Sequence, residues 1–260
     1  MPKPSEQGEN AAPYSPTREV TSLDDCYFYH TMDVPGHGTV EGEWDLRGDV
    51  GRYLGNYDFA SKRVLDVGAA SGILSFHMEQ QGAQVVSFDL SEDFDWDIVP
   101  FEANDNATAR LDRRSHLRRI NNAYWFCHRA FGSSAQMVNG VVYDIPESIG
   151  AVDVAVYGSI LLHLRDPFLA LENGARLARE AMIVADVSPY GRLASQFLKR
   201  PRFMPRADRP DWVTDGWFRL PPLLVIEYLK ILGFPNTTVS WGDYRYRDRK
   251  VPIYTVIARR

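Results

Sequence analysis

The stretch Val64-Leu65-Asp66-Val67-Gly68-Ala69-Ala70-Ser71-Gly72 is an apolar run that breaks at a glycine and resumes as helix-forming sequence after a second one, an order that few folds accommodate. It reads as a strand, a tight turn and a helix start. Gly68 and Gly72 let the backbone turn sharply and let a ligand approach without meeting a Cβ. The spacing is not the dinucleotide fingerprint G-x-G-x-x-G, because Ala70 stands at the second glycine place and Gly72 follows after one intervening residue. Asp66 beside the turn would repel a pyrophosphate and would suit a cation such as an ammonium group, met directly or through water.

On either side of this turn, short β-branched runs alternate with longer amphipathic ones. Residues 63–67, 84–88, 137–143, 151–157 and 181–185 read as strands, with helices at 73–81, stopped by Gly82, and at 167–178. A last helix at 221–232, stopped by Gly233, precedes two strands at 237–241 and 253–258. The pattern predicts an α/β fold: a Rossmann-like, seven-stranded, mostly parallel sheet with helices on both faces. A chain of 260 residues buries roughly 70–75% of its unfolded surface, so its two cysteines need not be crosslinked to hold a core.

Residues 1–22 mix Pro, Ser, Glu, Gln and Asn without periodicity and read as a mobile tail ahead of one domain, 23–260. Residues 23–60, with Tyr27, Phe28, Tyr29, His30 and Trp44 among turn residues, read as a lid. Two insertions, 91–134 and 188–220, interrupt the alternation. The first contains an arginine-rich helix at 107–130; the second holds Pro201, Pro205, Pro210, Trp212 and Trp217 and cannot be one regular element. Both follow strands of an open sheet, whose carboxyl edge is where ligands bind, so both are expected to wall the substrate pocket.

The second strand ends at Asp89, followed by Leu90, where a carboxylate is placed to accept both hydroxyls of a ribose. A cationic tail near Asp66 and a ribose at Asp89 together describe S-adenosylmethionine. On Asp66, Gly68, Ala69, Ala70, Gly72 and Asp89, and on the closing strand pair, residues 63–260 resemble the class I S-adenosylmethionine-dependent methyltransferases. The resemblance implies a reversed last strand, S-adenosylmethionine as cofactor, adenine contacts from Asp144 and Ile145, and a reactive edge beginning at Tyr157 and Gly158. The run Leu162-His163-Leu164-Arg165-Asp166-Pro167 is similar to that of the methyltransferase-like enzymes of the tRNA wobble uridine, usually spelled Gly-Val-Leu-Tyr-His. Here Ser159 replaces the glycine and Leu162 the tyrosine, a hydroxyl that the carboxymethyl-donor enzymes use.

Methyl transfer to a hydroxyl needs a base, and histidine serves near neutral pH. Of the six histidines, His163 at the cofactor edge and His30 in the lid, near Asp33, are the catalytic candidates. No helical histidine pair has metal-ligand spacing and the cysteines are far apart, so no metal is expected. Arg110, Arg113, Arg114, Arg118 and Arg119 suit either an anionic partner or a solvated helix face, and a net charge of -5 argues mildly against a surface devoted to nucleic acid. No apolar run has the length of a membrane span and no secretory signal opens the chain, so a cytoplasmic protein without membrane contact is expected. The expected activity is methyl transfer to a small aromatic or sugar-like molecule, at oxygen in preference to nitrogen. The alternatives are tRNA modification and a non-catalytic S-adenosylmethionine-binding protein. The sequence leaves the oligomeric state open.

Overall fold

The computed structural model describes residues 13–211 and 214–260. In chain order its elements are β1 (Met32–Val34), β2 (Gly38–Val40), β3 (Trp44–Asp45), α1 (Val50–Tyr53), β4 (Arg63–Val67), α2 (Ile73–Gln80), β5 (Gln84–Asp89), α3 (Asn106–Phe131) and β6 (Gln136–Asn139). Then follow β7 (Val152–Gly158), α4 (Pro167–Leu177), β8 (Ala178–Val187), β9 (Arg202–Phe203), β10 (Phe218–Arg219), α5 (Pro222–Ile231), β11 (Asn236–Tyr246) and β12 (Arg249–Arg259).

One sheet has the order β3-β11-β12-β8-β7-β4-β5-β6. The run from β8 to β6 is parallel, whereas β12 lies antiparallel between β8 and β11. All seven strands read from the sequence are present, with the last one reversed. The eighth, β3, pairs with the end of β11 through Asp45 and Trp44. Two residues in a turn-rich segment carry no period from which a strand can be read.

Strand alternation sorts the side chains into two cores. Val64 of β4 shares one core with Leu74 and Phe76 of α2 and with Tyr124 and Phe126 of α3, while Leu65 and Val67 belong to the other, with Ala170 and Leu171 of α4 and Val225 and Leu229 of α5. The sheet therefore carries helices on both faces. Asp105 caps α3, its Oδ1 accepting from the amides of Ala107 and Thr108, and Gly132 ends it in the left-handed conformation. The chain leaves β4 toward β5 and β6 on one side, then returns to β7 on the other. That reversal opens a crevice at the carboxyl ends of the strands.

The described part of the expected tail makes contacts with the domain. Ser15 donates its amide to the Met137 carbonyl and its hydroxyl to Asn139, Arg18 pairs with Glu92, and Val20 is buried. Residues 1–12 lie outside the described residues, as does Trp212. The lid is built into the body: β3 extends the sheet, and Tyr53 of α1 accepts from the Thr255 hydroxyl through its carbonyl, at 2.7 Å.

Candidate active site

A cleft lies over this crevice. Gly68, Phe88, Asp89, Gly140 and Gly158 from the strand ends form its floor. Tyr29 and His30 wall it from the lid, Leu117 and Ile120 from α3, and Asp95, Trp96 and Asp97 from the first insertion. The loop after β7 adds Ser159, Ile160, His163 and Leu164.

The glycine turn and Asp89 are bonded to each other. Asp89 Oδ2 accepts from the amide of Ala70 at 2.6 Å and Oδ1 from the amide of Leu90 at 2.7 Å. The first bond holds Ala70 at φ +49°, a region that disfavours residues with a Cβ. A Cβ on Gly68, at φ +80°, would lie 2.7 Å from Ile160 Cδ1, so glycine keeps the loop after β7 close to the turn. Burial raises the Asp89 carboxyl to about 6. Each of its oxygens still has a lone pair for a hydroxyl donor.

Of the residues expected at a cofactor, Gly68, Ala70, Asp89, Leu90 and Gly158 line the cleft, and Ala69 and Gly72 are buried within the turn beneath it. Three expectations need correction. Asp144 is exposed and Ile145 is buried in the core beneath α4, so Val141, Val142 and Tyr143 line the cleft in their place. Tyr157 points the other way from Gly158, as neighbours on a strand do, and donates its hydroxyl to the Ala170 carbonyl at 2.7 Å. Tyr157→Phe is therefore expected to lower stability by about 1 kcal/mol in chemical denaturation while leaving cofactor affinity unchanged.

Asp66 is fully buried and does not line the cleft. Its Oδ2 accepts from the Ser75 hydroxyl at 2.6 Å, so it ties the strand to α2 rather than meeting a ligand directly. Burial raises its carboxyl to about 7. With a folded value above the unfolded one, near 3.8, the stabilisation is complete below about pH 4 and is lost as pH rises toward 7. Asp66→Asn is expected to flatten that loss, which is on the order of 2–4 kcal/mol, in melting curves taken between pH 5 and 8. A residual slope should remain, because burial also raises Asp186, to about 7.

His163 donates Nδ1–H to the Asp215 carbonyl at 2.6 Å. A carbonyl only accepts, so the neutral ring keeps its lone pair on Nε2. Trp96 meets the His163 ring edge-on, with centroids 5.9 Å apart. His30 also lines the cleft, but its burial lowers the imidazole to about 4, and Asp33 is turned outward to Thr39 and Arg47. The expected His30–Asp33 base is not assembled.

The second insertion contributes none of the described cleft-lining residues, contrary to expectation, and acts as a brace. Besides Asp215 holding His163, Trp217 donates Nε1–H to the Asp97 carbonyl and its amide to the Leu162 carbonyl, both at 2.7 Å. Four of the five singled-out arginines of α3 turn to the protein itself, Arg110 and Arg114 to Asp95, Arg113 to Asp215 and Arg119 to the Asp24 and Cys26 carbonyls, whereas Arg118 is exposed. The Asp95-Trp96-Asp97 triplet, which sequence reasoning passed over, was signalled by an indole between carboxylates soon after Asp89.

The cleft suits S-adenosylmethionine. Asp97 provides negative charge for a sulfonium, whereas that of Asp95 is balanced by Arg110 and Arg114; the described lining contains no lysine or arginine, Asp89 offers acceptors for hydroxyls, and Tyr143 and Val142 offer flat and apolar surface for a base.

No family model and no curated protein sequence matches this chain. Solved structures do share its architecture. The N-terminal domain of EvdMO1, solved in the presence of SAH and D-fucose, superposes with a TM-score of 0.54 at 15% identity, over 91% of this chain and 92% of that one. Full-length EvdMO1 gives 0.52 at 16% identity, over 86% of this chain and 42% of that one. The 1,6-didemethyltoxoflavin-N1-methyltransferase of Burkholderia thailandensis, with 1,6-didemethyltoxoflavin and S-adenosylhomocysteine bound, gives 0.50 at 15% identity, over 82% and 77%. The fold is thus a Rossmann-like one that these SAH-binding proteins share.

Proposed function

We propose that the chain transfers a methyl group from S-adenosylmethionine to a small, uncharged, hydroxyl-bearing acceptor. The observation that carries this reading is the Asp89 carboxylate bonded to the Ala70 amide of the glycine turn at the cleft floor. When bound, S-adenosylmethionine supplies a methyl group on a sulfonium. Asp89 accepts from the ribose hydroxyls, and Gly68 and Gly158, whose Cβ positions are filled by Ile160 and Leu74, hold the strand ends close beneath the cofactor. His163 Nε2 takes the proton of the acceptor hydroxyl, with the ring fixed in its tautomer by Asp215.

Oxygen is preferred to nitrogen because a hydroxyl needs that base and the cleft provides one. The acidic lining disfavours carboxylates, phosphates and an RNA backbone. The internal engagement of Arg110, Arg113, Arg114 and Arg119 likewise favours a small molecule over tRNA. The test is incubation with methyl-labelled S-adenosylmethionine and a panel of phenols, sugars and tRNA. Label in a phenol or sugar supports the reading. Label only in tRNA would replace it with the wobble-uridine alternative, and binding without label in any acceptor would favour a non-catalytic role.

A further inference from the structure

The inward side of α3 recurs every three or four residues: Arg113, His116, Leu117 and Ile120 are partly or fully buried, while Arg114, Arg118 and Arg119 are exposed. Leu117 and Ile120 line the cleft, so Arg113 stands one turn earlier on the same stripe. An arginine at an inward position is out of keeping with the period. Its side chain is 27% exposed, against 42% for Arg110 and 45% for Arg114.

The guanidinium is engaged on two sides. Its Nη2 meets Asp215 Oδ2 at 2.8 Å and donates to Thr214 Oγ1 at 3.3 Å, and its carbon lies 5.2 Å from the centroid of the Trp96 ring. Asp215 and Trp96 both touch His163. The Asp215 carbonyl accepts from Nδ1 at 2.6 Å, and the Trp96 ring meets the imidazole at an interplanar angle of 83°, with centroids 5.9 Å apart. Arg113, Asp215, His163 and Trp96 therefore close a circuit around one cation.

That circuit bears on how the imidazole is held. Asp215 lies between β9 and β10 outside any regular element, so the place of its carbonyl depends on ties to the body. The Thr214 carbonyl accepts from the Val99 amide at 2.8 Å and Trp217 donates its amide to Leu162 at 2.7 Å; Arg113 supplies the tie of Asp215 itself. A neutral imidazole in free histidine carries its hydrogen chiefly on Nε2, whereas a base acting through Nε2 needs it on Nδ1. A planar guanidinium can stack on an indole and donate within its own plane at once, which an ammonium group cannot. Partly exposed ion pairs contribute little to stability, so what the arrangement supplies is geometry.

Resting on the methyltransferase reading, we infer that Arg113 is a positioning residue for the base: through Asp215 and Trp96 it fixes the tautomer and the orientation of His163, without itself lining the cleft.

The test is nitrogen NMR of the imidazole groups in the isotope-labelled full chain at pH 8, with the His163 signals assigned by their loss in His163→Asn. His163 is expected to carry its hydrogen on Nδ1. Arg113→Met keeps the length of the side chain and loses its charge and donors; it should shift His163 toward the Nε2–H tautomer. Arg113→Lys, which keeps the pair with Asp215 and loses the stacked plane, should lie between. Asp215→Asn retains the carbonyl and should follow Arg113→Met, and combining the two should add little to either. With a hydroxyl acceptor from the labelled-methyl screen, kcat of Arg113→Met should fall by roughly 10- to 100-fold while KM stays within about two-fold. A purely structural role would lower the melting temperature and leave tautomer and kcat alone. If Arg113→Met fails to fold, Asp215→Asn carries the test. An Nδ1–H tautomer unchanged by these substitutions, an Nε2–H tautomer in the unsubstituted chain, or an unchanged kcat would overturn the inference. The tautomer is read without cofactor or acceptor, so failure to bind S-adenosylhomocysteine would remove the methyltransferase reading and is distinguishable from failure of the Arg113 circuit.

Discussion

Asp89→Ala is expected to weaken S-adenosylhomocysteine binding by about 100-fold or more, the largest effect of any single substitution on the cofactor. Two hydroxyls would each lose a charge-assisted acceptor contributing about 1.5–3 kcal/mol, and every 1.4 kcal/mol is a factor of ten. The substitution also frees the amides of Ala70 and Leu90, so the turn loses its tie to β5 and the Ala70 backbone its restraint at positive φ. Asp89→Asn separates the two contributions. It keeps an acceptor oxygen and the side-chain volume, and it should lie between alanine and the unsubstituted chain in both affinity and melting temperature. An affinity unchanged in both variants would remove Asp89 from the cofactor site.

His163→Asn is the counterpart for the chemical step. Its amide nitrogen reaches the position of Nδ1 and can still donate to the Asp215 carbonyl, so the brace from the second insertion is retained. What it lacks is Nε2. With any hydroxyl acceptor found in the labelled-methyl screen, turnover should fall by about 10²- to 10⁴-fold, the usual contribution of a positioned base. S-adenosylhomocysteine affinity should stay within about two-fold, a difference of less than 0.5 kcal/mol. His163→Ala should lose the same turnover and some stability besides. If the asparagine variant turned over normally and only the alanine variant failed, His163 would be a loop anchor and the proton would leave by another route.

How much of this was legible in the sequence depended on the kind of contact involved. Most of the strands and their helices followed from hydrophobic period, because β4, β5, β7, β8 and the second half of β12 are buried on both faces, whereas β11 is largely exposed. The glycine turn and Asp89 were legible because backbone conformation and a strand-end carboxylate leave residue-type signatures. Tyr157 was misplaced by one step of a period-two pattern: Gly158 reaches the cleft, so its neighbour must face α4. Asp144 and Ile145 were misplaced because the chain between β6 and the 3-10 turn at Glu147–Ile149 decides which residues of that loop look inward. The bracing role of the second insertion had no signature at all, since Asp215 holds His163 through its carbonyl, a group common to every residue. The contacts of residues 13–22 were obscured for a similar reason: Ser15 and Arg18 are held by polar bonds that leave no hydrophobic pattern.

The most direct measurement is calorimetric titration of the chain with S-adenosylmethionine and S-adenosylhomocysteine, with NAD as the control. Micromolar binding of both, and none of NAD, is the predicted result, because the turn lacks the dinucleotide glycine spacing while Asp89 and the acidic lining suit a ribose and a sulfonium. NAD binding, or no binding of either sulfur compound, would contradict the account.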